Sequence, residues 1–154
     1  MSNSNNEVAV LQSLLRSELS SVETYEQALK KVGNEHGSAD IRLIEANHSK
    51  AVDHLRHLIN QKGAEPETSS GAWGTFAKVI EGAATLISST ASLKVLKEGE
   101  ENGVKNYEKA LADSSLDEHS QALIRDTLLP AQRRHIPVLD RLIAEHTSSS
   151  TPNQ

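Results

Sequence analysis

Glu45 and His48 stand three residues apart in Ile44-Glu45-Ala46-Asn47-His48, inside a run whose apolar residues recur at helical spacing. Residues i and i+3 share one face of an α-helix. This carboxylate and imidazole therefore point where Ile41, Ile44, Ala51, Val52, Leu55, Leu58 and Ile59 point, into a core. A polar group buried without a partner costs about 2–7 kcal/mol, so the rest of the chain must supply partners. Similar interruptions occur elsewhere. Glu18 breaks the stripe Val8, Leu11, Leu15, Val22, Tyr25, Leu29, Val32, and Glu100 breaks the stripe Leu93, Leu96, Val104, Tyr107, Leu111. Gln132 and His135 break Leu116, Leu123, Leu128, Val138, Leu139, Leu142. Carboxylate oxygen and imidazole nitrogen are ligands for iron, manganese or zinc alike. The bland alternative is a set of core polar groups that hydrogen-bond one another and bind nothing.

Four long helices must position these groups. The first is expected over about 6–32, capped by Asn5 or Asn6 and stopped at Gly33-Asn34; the second over 39–62, capped by Ser38 or Asp40 and stopped at Lys62-Gly63. Glu65-Pro66-Glu67-Thr68-Ser69-Ser70-Gly71 reads as a turn-rich linker. It opens a long crossover with an extra short helix at about 74–87, which lets the third helix, about 90–112, run parallel to the second. Ser115-Leu116-Asp117-Glu118 has capping-box spacing and opens the fourth, about 116–145. Pro130 and Pro137 are expected to kink or break it. Residues 1–146 form one domain, and the polar stretch 147–154 is expected to be a disordered tail.

Composition narrows the function. The 154 residues contain no cysteine, which removes disulfides, thiolate zinc sites and iron–sulfur clusters. Only 3% are aromatic and no β-branched alternation occurs, favouring an all-α chain. The net charge of −5, with basic residues scattered among acidic ones, argues against a nucleic-acid partner. Apolar runs are too short to span a bilayer and the N-terminus has no secretory pattern, so a cytoplasmic location is expected. There is no phosphate loop and no nucleophile elbow.

Glu18–Leu29 (ELSSVETYEQAL) aligns without a gap on Glu100–Leu111 (EENGVKNYEKAL), and Glu45–Leu55 (EANHSKAVDHL) aligns on Gln132–Leu142 (QRRHIPVLDRL). The chain thus reads as two copies of one helix pair. Both copies resemble the ferritin-like superfamily, in which two helices each give a Glu and two each give Glu-x-x-His. EGEENGVKNYEKAL and LLPAQRRHIPVLDRLI are similar more narrowly to a bacterial ferritin-like four-helix-bundle family of unknown function. The resemblance implies a bundle of two repeated helix pairs and proposes Glu18, Glu45, His48, Glu100 and His135 as metal ligands, with Gln132 at the sixth place. A neutral amide cannot replace a bridging carboxylate. One ion near Glu18, Glu45 and His48, or an asymmetric pair, is therefore easier to hold than a symmetric dinuclear site. The implied function is binding of one or two iron ions, or of manganese or zinc, in iron handling or oxidative-stress protection. Whether the protein is an enzyme stays open, as does homo-oligomer formation. The competing reading is a metal-free bundle acting in interaction or assembly.

Overall fold

A computed structural model describes residues 2–32, 36–71 and 90–149. Its helices are α1 (Ser2–Val32), α2 (Ser38–Gln61), α3 (Thr90–Leu111), α4 (Glu118–Leu123) and α5 (Leu129–Ser149). Among the described residues there is no strand. The expected helix at 74–87 lies outside the described residues.

Two apolar clusters show how the helices run. One joins Tyr25 and Ala28 near the end of α1, Ile41 and Ile44 near the start of α2, Leu93 and Leu96 near the start of α3, and Leu139 and Leu142 of α5. The other joins Leu11, Leu14 and Leu15 of α1 with Leu55, Leu58 and Ile59 of α2, Tyr107 and Ala110 of α3, and Leu116, Ile124, Leu128 and Leu129. Hence α2 and α3 run the same way, as the long crossover requires. α1 packs chiefly on α2, and α3 chiefly on α5, so two antiparallel pairs meet face to face. The described part of the crossover lies along α1: Gln12 Nε2 donates to the Glu65 carbonyl (2.7 Å), Gln12 Oε1 accepts from the Glu67 amide (2.9 Å), and Ser70 Oγ donates to Glu23 (2.8 Å).

The helix ends follow local chemistry. Gly37, with φ of 89°, precedes α2 where a side-chain cap was expected from Ser38 or Asp40. Gly63 ends it at φ 78°, its N–H bonded to the Asn60 carbonyl and that of Ala64 to the Ile59 carbonyl, the paired bonds of a Schellman stop. The cap of α4 is Asp117, whose Oδ1 accepts from the Ser120 amide (2.8 Å), and Ser115 turns instead to Asp113 (2.6 Å). α1 begins at Ser2, ahead of Asn5. α5 continues through Ser149, past the expected end of the domain. Thr147 and Ser148 hold that last turn by donating to the carbonyls of Ile143 (2.9 Å) and Ala144 (3.0 Å).

The proline effect takes a specific form. Pro130 has no N–H to offer the Asp126 carbonyl, and the chain before it widens into a π-helical turn, Ile124–Leu128, in which the Leu129 N–H reaches back to the Ile124 carbonyl. α4 and α5 continue through that turn as one fourth helix, and Pro137 is held inside α5.

Candidate metal centre

Between the two apolar clusters lies a polar layer to which every long helix contributes. Glu18, His48, Glu100, Gln132 and His135 are all at most 4% exposed. In each helix the polar residue sits between apolar ones assigned to opposite clusters: Leu15 and Tyr25 flank Glu18, and Ile44 and Ala51 flank His48. The helical period thus delivers the ligand-type groups to one level.

Glu100 is the hub. Its Oε1 accepts from the Tyr25 hydroxyl (2.5 Å) and His48 Nε2 (2.9 Å), and its Oε2 accepts from Gln132 Nε2 (2.5 Å) and His135 Nδ1 (3.0 Å). Glu18 Oε2 accepts from His48 Nδ1 (2.6 Å), and Glu18 Oε1 from the Tyr107 hydroxyl. The tyrosines are exchanged between the repeats, each reaching from its own helix to the glutamate of the other. The histidine rings meet edge to face with centroids 4.9 Å apart, and Tyr25 stacks on His48 at 5.4 Å.

His48 has a carboxylate at each ring nitrogen, so both nitrogens donate and the ring is an imidazolium. Burial alone would lower its pKa, but the charges of Glu100 and Glu18 outweigh burial and raise it to about 10. Burial alone would likewise raise the pKa of Glu100, yet the neighbouring His48 and His135 hold it at about 2. Both tyrosines are pushed well above their ordinary pKa by burial and then by the carboxylates they contact, and so remain donors. His135 differs. Its Nδ1 donates to Glu100 and its Nε2 accepts from Asn47 Nδ2 (3.3 Å).

Of the six residues singled out in the sequence, five join this network and Glu45 does not. Glu45 is half-buried and accepts from Ser49 one turn along its own helix (2.9 Å). Gln132, which aligns with Glu45, passes over Gly103, where a Cβ would come within 2.9 Å of the Gln132 carboxamide carbon. The residue aligned with Gly103 is Ser21, which carries a Cβ. Among the described residues, the ligand-type groups whose donor atoms all lie within 4.8 Å of one another are those of His48, Glu100 and His135.

Sequence reasoning missed Asn47, the partner of His135, because an amide beside a histidine on a helix carries no signal of its own. It also missed Glu7, near the start of α1. Glu7 is 5% exposed, pairs with Lys62 (3.0 Å) and accepts from Ser120 Oγ (2.6 Å) and the Asp117 amide (3.1 Å).

A family model described as "Domain of unknown function (DUF2383)" matches residues 4–113. Those residues hold Glu18, His48 and Glu100, and the match stops before Gln132 and His135. No curated protein and no solved structure matches the chain.

Proposed function

We propose, for a chain that belongs to the DUF2383 family of unknown function, that the polar layer is a site for one divalent transition-metal ion. The observation that carries this reading is the buried convergence of His48, Glu100 and His135 within 4.8 Å. Ligands on opposite sides of one ion stand about 4.2 Å apart at a metal–ligand distance of about 2.1 Å, so a small contraction would seat the ion. The donor set fits iron, manganese or zinc.

Charge balance favours a single ion. The network carries two carboxylates, Glu18 and Glu100, and one imidazolium, His48. A divalent ion that displaces the His48 proton brings the site to neutrality, whereas a second would leave it doubly positive. With Glu45 half-buried and bonded to Ser49, and Gln132 uncharged, no further carboxylate is at hand among the described residues. Such an ion would supply a Lewis acid, or for iron and manganese a one-electron redox centre. The chain's own groups have defined tasks: the Tyr25 and Gln132 donors fix the Glu100 carboxylate, Tyr107 fixes Glu18, and Asn47 fixes the His135 ring. The resemblance of both halves of the sequence to the ferritin-like superfamily supports a role in iron handling or oxidative-stress protection.

One observation favours a metal-free bundle instead. Among the described residues, no buried side-chain nitrogen or oxygen lacks a hydrogen-bond partner, so the layer is stable as a network in its own right. Metal titration of chelator-treated protein separates the two readings. The metal reading expects one Fe²⁺ or Mn²⁺ per chain, lost in Glu100→Ala and His135→Ala and retained in Glu45→Ala. No stoichiometric binding, with a melting temperature indifferent to metal, would establish the metal-free bundle.

A further inference from the structure

On the face where α2 meets α5, two adjoining clefts of about 260 and 350 Å³ share Asn47 and Arg134. Their combined size falls in the range of small-ligand pockets. At the inner end of one lies His135, with the Asn47 carboxamide on its outward nitrogen. Lys50 and His54 line the other, and Leu43, Ile44 and Val138 form an apolar lip. Leu43 is the one exposed large hydrophobic residue among the described residues, at 62%.

The charges in this seam do not cancel. Asp40 is taken by Arg141 (3.0 Å) and Asp126 by Arg125 (3.1 Å). Among the described residues, neither Lys50 nor Arg134 has a carboxylate within ion-pair distance, although the chain as a whole is acidic. By contrast Arg133, next in sequence, is paired with Glu108 (2.8 Å). A cation entering along the seam meets these two charges, while an anion is drawn in, and low-dielectric walls strengthen the attraction.

The geometry points to a binding site for a small organic anion in the α2/α5 seam, its carboxylate or phosphate head between Lys50 and Arg134 and its short apolar body on Leu43 and Val138. The bound anion lies against Asn47, one residue removed from the polar layer. This site stands whether or not the layer holds a metal, and its test is made with chelator present so that the two ideas fail separately.

The experiment is titration of ¹⁵N-labelled protein with hexanoate, using hexanamide as the uncharged control. Expected are saturable shifts in residues 43–54 and 131–138, weakening by about tenfold in Lys50→Ala and in Arg134→Ala, since a charge-assisted contact of this kind is worth about a decade in affinity. Arg134→Glu should abolish binding and Arg133→Ala should leave it unchanged. All four substitutions fall on exposed positions, so folding is preserved. Equal binding of hexanamide, undiminished binding by Arg134→Glu, or shifts confined to another face would each overturn the proposal.

Discussion

His48 holds two carboxylates together, and its removal leaves them facing one another in a buried layer. His48→Ala is expected to destabilise the metal-free protein by about 3–5 kcal/mol, the usual result of breaking a buried ion pair from one side, as read from urea unfolding. His48→Gln, a neutral donor of similar reach, should cost less. The same pair sets a pH window. The pKa of His48 is raised from 6.5 to about 10, so its contribution is complete below pH 6.5 and is lost as pH climbs through 10. Glu100 is lowered from 4.5 to about 2, so its contribution is complete above pH 4.5 and is lost as pH falls through 2. With chelator present, stability should therefore be flat between about pH 4.5 and 6.5 and fall on both sides. Continued gain in stability from pH 7 to 10 would contradict the assigned imidazolium. At this scale the sequence was legible where a polar group sat squarely on an apolar stripe, as Glu18, His48, Glu100 and His135 do. Glu45 lies on the edge of its stripe and bonds to Ser49 one turn along its own helix, a choice that the apolar pattern of α2 does not reveal.

Helix α3 owes its close approach to the fourth helix to Gly103. Gly103→Ala should push the Gln132 amide off Glu100 and cost about 1–3 kcal/mol, the usual penalty of overfilling a packed site, seen as a lowered melting temperature. Shortening the opposing side chain should compensate, so Gly103→Ala with Gln132→Ser is expected to be more stable than Gly103→Ala alone. Equal loss in both would place the strain elsewhere. The span of α2 and its parallel run with α3 were readable from periodicity, the glycine stop at Gly63 and the length of the crossover; the stop expected at Gly33-Asn34 lies outside the described residues. The π-helical turn was not. Proline announces a lost hydrogen bond, but whether the chain answers with a kink or by taking up an extra residue depends on the packing of Ile124, Leu128 and Leu129.

At the end of the molecule where α1 begins, α2 finishes and α4 starts, Lys62 lies between Glu7 and Asp117. Burial alone would lower the Lys62 pKa, but the hydrogen bonds it donates to Asp117 and Glu7 outweigh burial and raise the pKa; Asp117 is drawn well below its usual range by Lys62 first and the Ser120 amide second. Lys62→Met should leave Glu7 buried without its cation, destabilising the protein by about 1–3 kcal/mol, and amide exchange should quicken in the first turns of α1 and α4. Exchange unchanged there would mean that the apolar cluster alone secures that end.

The polar layer also bears on how the two helix pairs find each other. Apolar stripes are forgiving, because sliding one pair past the other by a turn still sets leucine against leucine. Such a slide here would strand Glu100 among the aliphatic side chains of either cluster, away from Tyr25, His48, Gln132 and His135. The layer thus works as an index mark along the bundle axis, making misaligned dockings of two look-alike halves far costlier than the aligned one.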